Sequence, residues 1–470
     1  MLFNSLTFLI FSICVFGLFW LIPKWPHKKW LLLIASYLFY AAWNPPYILL
    51  LFLSTTADWW LARLIGNTEN STRRRALLFC SLTTNLIVLG YFKYGNFLLE
   101  NFNRLLAPLG LMHTPPQFDI VLPIGISFYT FASLSYTIDV YRKQIRHDWR
   151  LVDYALFVSF FPHLMAGPIV RASCLLPQIE NPKLPTQNQV GWGLAFVCMG
   201  LFVKVVLADA IFAPVVDEIY AAPSHYGAFD AWAGLFSFSG QIYYDFSGYS
   251  LCAIGLALCF GFSFPDNFHH PYAAKGFSDF WRRWHISLST WLRDYLYIPM
   301  GGNRYGEFRT IGNLLITMLI GGLWHGASWM FVLWGGLHGV YLFIERLLKK
   351  MLGNAAVPIA GEGRLIEIIT FIVITVTWIP FRAETPNEAI AIAKALMNTT
   401  IPPVPDIQHM IAVVAMLATL RWHIALRNTR LEDIVAGRGL FAQVAIMSTC
   451  LIGLFLCSGN DPRSFIYFQF

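Results

Sequence analysis

Two histidines interrupt a stretch of otherwise membrane-grade hydrocarbon, TMLIGGLWHGASWMFVLWGGLHGVYLFIE, from Thr317 to Glu345. His325 and His338 are each followed by glycine, and His325 also sits beside the indole of Trp324. Imidazole is the side chain best matched to moving a proton near neutral pH. Inside an apolar segment such a ring marks a site of chemistry, or else it serves as an interhelical hydrogen bonder worth about 0.6 kcal/mol. Both readings of His325 stand on the residues alone. His338 lies 13 residues further on. On a continuous helix that is about 20 Å, too far to share one proton with His325, which makes His338 structural or accessory.

The densest polar cluster is GFSDFWRRWHISLSTWLRDYLYIPMGGNR, Gly276 to Arg304. Ser278 is read as a helix N-cap, and helical spacing puts Trp281, His285, Leu288, Ser289, Leu292 and Tyr295 on one face. Arg282, Arg283, Arg293 and Asp294 lie elsewhere around that helix. Each central charge costs about 2.5–3.5 kcal/mol in the bilayer, so the segment is expected at the cytoplasmic surface. There Arg282, Arg283 and Arg293 could bind a phosphorylated cosubstrate, or snorkel as a basic anchor. FFPHLMAGPIVR, with His163 and Arg171, and QIYYDFSGYS, with Asp245, read either as bundle packing or as further polar sites.

These groups must be positioned by membrane helices. Of 470 residues, 57% are hydrophobic and 13% charged, with mean hydropathy +0.55, whereas a soluble domain carries about a quarter charged residues. At about 20 residues per span the apolar content caps the count near 13, and alternating barrel strands are not evident. The fold class is therefore all-α polytopic, one membrane domain over 1–470. The first apolar run has no basic leader or small-residue cleavage site and reads as a retained span. Further spans are predicted near 30–43, 46–65, 76–92, 190–213, 232–262, 330–344, 366–380, 410–420 and 439–457, and LPIGISFYTFASLSYTIDVYRKQIRHDWR, Leu122 to Arg150, is expected to re-enter and end in a basic cluster. Phe157–Val170 and Ile311–Trp324 are expected to be short or broken, and re-entrant. Basic loops at Lys24–Lys29 and Ser71–Arg75, with RLLKK and RWHIALRNTR, place both termini outside by the positive-inside rule.

That charge placement, rather than nucleic-acid binding, accounts for the net charge of +7. The eight cysteines lie in or beside apolar runs without a CxxC pair and read as small hydrophobes. No P-loop, dinucleotide-binding glycine pattern, HExxH or coherent GxSxG triad occurs, so phosphate-driven, redox, zinc-hydrolase and serine-hydrolase readings lack support, and no metal is expected.

FWRRWHISLSTWLRDYLYIPMGGNR followed by GGLWHGASW closely resembles the membrane-bound O-acyltransferase (MBOAT) superfamily. ASYLFYAAW, GYFKYGNF, LPIGISFYTFASLSYTIDVYR, YYDFSGYS and the terminal FIYFQF fit its bacterial alginate and peptidoglycan O-acetyltransferase membrane components. The resemblance implies about 11–13 helices with re-entrant segments around a central tunnel, in the bacterial inner membrane. It implies that His325 is catalytic, that His285 is the second signature polar residue on the cytoplasmic approach, and that acetyl-CoA is the donor. The small residues Gly321, Gly322, Gly326 and Ala327 would leave the tunnel passable. Acetyl would pass to an envelope polysaccharide through a periplasmic SGNH-type transferase. Tail residues 458–470 are expected on the outer face. Tyr467 resembles the tyrosine of the small partner peptide in D-alanylation, a carrier of the acyl group; an aromatic tail packing at the interface is the plainer reading. D-alanyl export to teichoic acid and glycan transport without acyl chemistry are the rival functions.

Overall fold

A computed structural model of the chain describes residues 1–109, 121–352, 364–400, 406–457 and 463–466. Among them the regular elements are all helical. They gather into two compact units, residues 1–194 with 253–265, and residues 195–252 with 266–470.

The helices of the first unit begin with α1 (Leu6–Leu21), α2 (Trp25–Ala41), α3 (Tyr47–Asn67) and α4 (Ser71–Leu89), followed by α5 (Ile126–Tyr141) and α6 (Leu151–Ser159). Asp58 on α3 is buried but paired: it accepts hydrogen bonds from Ser81 Oγ at 2.7 Å and Asn85 Nδ2 at 2.9 Å, both on α4. A polar residue at that depth persists only when satisfied in this way. Phe157–Val170 is broken as expected, α6 ending at Ser159 before a single turn at Phe161–Leu164. His163 there donates from Nε2 to the Phe157 carbonyl at 3.0 Å, a structural use of the ring.

Further along the chain are α7 (Gln187–Phe202), α8 (Ala213–Ala221), α9 (Ala228–Cys259), α10 (Phe277–Arg283), α11 (Ile286–Leu292), α12 (Glu307–His325), α13 (Trp329–Leu352), α14 (Arg364–Arg382), α15 (Ile407–Ala425) and α16 (Leu440–Cys457), with shorter helices such as Gly95–Leu106, Ala172–Glu180, Pro386–Ala395 and Leu431–Ala436 between the longer ones. Eight helices among the described residues are long and apolar enough to cross a membrane, including α3, α9, α13, α14, α15 and α16. The lipid-facing character of α16 is plain: Phe441, Phe455 and Leu456 are all exposed. All eight thiols are free.

Three local expectations are corrected. The Ile311–Trp324 segment is not broken; it lies within the continuous 19-residue helix α12. Ser278 does not cap α10: the N-cap is Gly276, while the Ser278 N–H donates to Glu345 Oε2 at 2.9 Å. Nor do Trp281 through Tyr295 share one helical face. The helix stops at Arg283, restarts at Ile286, and widens to a π-turn over Arg293–Tyr297.

Candidate active site

The hairpin of α12 and α13 carries His325. Its helices approach at Gly322 and Gly335, with no room for side chains: a Cβ on Gly322 would stand 2.2 Å from the Phe331 carbonyl oxygen, and one on Gly335 2.2 Å from that of Met318. Gly322 and Gly326, expected to leave a passage open, serve close packing instead, since a Cβ on Gly326 would strike the Phe331 ring at 2.2 Å. That contact brings Trp334 on α13 against His325, the last residue of α12, with ring centroids 5.1 Å apart and planes at 90°. Gly335→Ala is expected to push the helices apart and misplace His325. A displacement near 1 Å costs about 100-fold in rate, so turnover should fall by that order while the variant still purifies as a monodisperse protein. Turnover within threefold of wild type would show the crossing to be irrelevant to chemistry.

The chain reverses between α12 and α13, so the continuous helix that set His338 about 20 Å from His325 does not exist. Trp334 lies between the two imidazoles, its centroid 4.6 Å from that of His338. His338 accepts at Nδ1 from the Trp281 indole N–H at 3.3 Å. It is thereby fixed as part of the aromatic wall.

His285 arrives from the other direction. It stands in the break between α10 and α11 with φ +42° and ψ +54°, a left-handed conformation that a histidine seldom adopts. Asn267 holds it there. The Asn267 carbonyl accepts the Ile286 N–H at 2.9 Å, its side-chain oxygen accepts Ser287 Oγ at 2.8 Å, and its amide donates to Ser250 Oγ at 3.1 Å. Backbone strain retained by a buried polar clamp is a frequent mark of a functional position. The His285 and His325 ring centroids are 6.2 Å apart, and Phe246 lies 4.6 Å from His285.

Both imidazoles are buried, as are Trp284, Trp334 and Trp378. Both ring nitrogens of His285, Nε2 of His338 and the indole N–H groups of Trp284, Trp334 and Trp378 find no hydrogen-bond partner among the described residues. Buried polar groups in native proteins are paired in about nine cases of ten, so a cluster of such groups in one aromatic wall can take a polar guest or buried water. Burial pushes the His285 imidazole below its ordinary range, toward the neutral form.

The three arginines divide. Arg283 is buried and fully engaged, by Asp279 Oδ1 at 3.0 Å, the Arg427 carbonyl at 2.8 Å and the His269 carbonyl at 3.2 Å. Arg293 pairs with its neighbour Asp294 at 2.7 Å while remaining exposed, and Arg282 is exposed.

Tyr467 lies outside the described residues; the two residues before it do not. Phe465 is buried against Phe246 and Tyr249, with centroids 5.5 and 4.7 Å away. The Ile466 N–H donates to Asp245 Oδ2 at 2.7 Å. Asp245 is itself buried in an ion pair with Lys204, which also reaches Asp209 Oδ1 at 2.7 Å. The tail segment Phe465–Ile466 is thus fastened inside the fold, one aromatic ring away from His285. Asn267, Trp334 and the Lys204–Asp245 pair are residues that sequence reasoning missed or left as packing. The polar cluster around Asp245 and the i, i+4 spacing of Trp334 and His338 were the sequence signals for them.

Residues 8–383 match the MBOAT, membrane-bound O-acyltransferase, family. The chain is 44% identical over 386 residues to the probable alginate O-acetylase AlgI of Pseudomonas aeruginosa, spanning 82% of this chain and 72% of that protein. It is 37% identical over 403 residues to the peptidoglycan O-acetyltransferase of Helicobacter pylori, spanning 80% and 74%. A weaker likeness, 28% over 254 residues, covers 51% of this chain and 63% of the teichoic acid D-alanyltransferase of Bacillus subtilis. With spans, a buried histidine pair and matches of this extent in agreement, the chain belongs to the membrane-bound O-acyltransferase family and is an acyltransferase.

Proposed function

We propose that this acyltransferase moves acetyl from cytoplasmic acetyl-CoA across the inner membrane for O-acetylation of a cell-envelope polysaccharide, alginate or peptidoglycan. The acceptor class follows the two groups of relatives at 44% and 37% identity. Coenzyme A is too highly charged to cross a bilayer, so the thioester and the outer acceptor must meet at one buried point. His325, supported by His285, is that point. Arg282 on α10 and Arg293 in the π-turn, both exposed, receive the coenzyme A phosphates. Both chain termini face the periplasm.

The tail takes part in the transfer. The Tyr467 phenol attacks the acetyl thioester carbonyl while His325 takes the phenolic proton, the usual general-base role. The carbon–sulfur bond then breaks and the leaving sulfur accepts that proton, so coenzyme A departs as the thiol and acetyl remains as a phenyl ester. A periplasmic SGNH-type transferase then accepts acetyl on its serine and passes it to sugar. The observation that carries this reading is the burial of Phe465 and the anchoring of Ile466 on Asp245, beside the ring that touches His285.

The test is sided. Inside-out membrane vesicles holding the protein should release free coenzyme A thiol from added acetyl-CoA, whereas sealed right-side-out vesicles should not. Release from neither preparation, with consumption of a D-alanyl carrier protein instead, would move the protein to the D-alanyl branch. Release from right-side-out vesicles alone would overturn the orientation.

A further inference from the structure

Away from the histidine pair, a second buried imidazole is built into a different kind of site. His409 stands in the first turn of α15 and is only 1% exposed. Its Nδ1 lies 3.0 Å from Oδ1 of Asp230 on α9, itself fully buried. That carboxylate accepts the Nδ1–H, which leaves the buried Nε2 lone pair on the side of Glu218. Nε2 has no hydrogen-bond partner among the described residues, and Glu218 Oε2 on α8 stands 3.6 Å away, beyond hydrogen-bond range.

The neighbouring carboxylates are held in the same manner, by one oxygen each. Glu218 accepts at Oε1 from the Tyr226 hydroxyl at 2.8 Å, which leaves Oε2 for His409. Asp406, the N-cap of α15, accepts at Oδ1 from the Gln408 N–H at 2.6 Å, which leaves its second oxygen. One donor atom from each of Glu218, Asp406 and His409 lies within 4.8 Å of the other two. Among the described residues no lysine or arginine nitrogen lies within ion-pair distance of Glu218 or Asp406.

We propose that Glu218, Asp406 and His409 bind a divalent transition-metal ion, Zn²⁺ being the best match, which ties α8 and α15 together. Bonds to nitrogen and oxygen of about 2.0–2.2 Å place neighbouring tetrahedral ligands roughly 3.4 Å apart, close to the observed Nε2–Oε2 separation. The imidazole favours Zn²⁺ over the all-oxygen preference of Ca²⁺ and Mg²⁺. Each ligand carries the outer partner that such sites require: Asp230 for the imidazole, Tyr226 for Glu218, and the helix N-terminus for Asp406. Glu218 is exposed and Asp406 half-buried, so both side chains can shift to bring separations of up to 4.8 Å toward tetrahedral spacing, and water can complete the shell.

The experiment uses full-length, untagged protein in detergent, stripped with chelator and titrated with ZnCl₂, with CaCl₂ in parallel. Metal content after gel filtration gives the stoichiometry and thermal unfolding gives the stabilisation. Wild type should retain one equivalent of zinc and unfold several degrees higher with it than without. Glu218→Gln and Asp406→Asn, at side chains exposed enough to change without unfolding the protein, should each weaken zinc binding by about 10–100-fold, and Tyr226→Phe by about tenfold. No retained zinc, zinc retained equally by the Glu218→Gln/Asp406→Asn double variant, or tighter binding of Ca²⁺ than of Zn²⁺ would each overturn the proposal.

Discussion

His325→Gln is expected to lower acetyl transfer by about 10²–10⁴-fold, the range contributed by a positioned general base. Glutamine keeps most of the ring's volume and a polar end, so the walls formed by Trp334 and Phe381, with centroids 5.1 and 5.4 Å from His325, stay supported. What is lost is a group that can take a proton at neutral pH. The alanine variant should lose activity to at least the same extent, but it also opens a cavity that costs about 2–5 kcal/mol in comparable core truncations. Glutamine therefore separates chemistry from packing. The measurement is coenzyme A release by purified enzyme, with elution profile and unfolding temperature as controls for folding. A glutamine variant that folds normally and turns over within threefold of wild type would remove His325 from the chemistry. The proposed acyl route would go with it.

His325 and the spans were legible in the sequence for one reason: each is a local departure from a simple background. A histidine in hydrocarbon is expensive enough to be noticed, and a run of 18 or more apolar residues needs no tertiary context. Predicted spans 366–380 and 410–420 accordingly fall within α14 and α15, and 46–65 overlaps α3 from Tyr47 onward. What stayed hidden depends on long-range contact. The break at His285 needs Asn267, 18 residues earlier, to satisfy the kinked backbone, and a helical wheel drawn through Trp281–Tyr295 has no means of registering it. The reversal after Gly326 has no proline or Asn-Gly signature, so His338 was measured along a helix that is not there. Glu218 and His409 are 191 positions apart, and no spacing rule could join them. Periodicity reads faces of continuous helices; the candidate site sits where helices stop.

Tyr467→Phe is expected to reduce transfer to background, a larger effect than loss of the base, because a phenyl ring has no oxygen on which acetyl can reside. The substitution keeps the aromatic face, so a tail that merely packs at the membrane interface would tolerate it. After incubation with acetyl-CoA, the C-terminal peptide of wild type should carry the mass of one acetyl group on Tyr467. The same peptide from His325→Gln should gain acetyl about 10²–10⁴-fold more slowly, since the phenol then has no imidazole to take its proton. The tail's attachment sharpens the comparison. Phe465 and Ile466 are held by Phe246, Tyr249 and Asp245 whether or not residue 467 bears a hydroxyl, so Tyr467→Phe should leave unfolding unchanged. Replacing Phe465 instead should loosen the tail and lower acetylation of an intact Tyr467. Equal turnover by wild type and Tyr467→Phe would show that acetyl reaches its acceptor directly from the thioester, leaving His325 as base and the tail as packing.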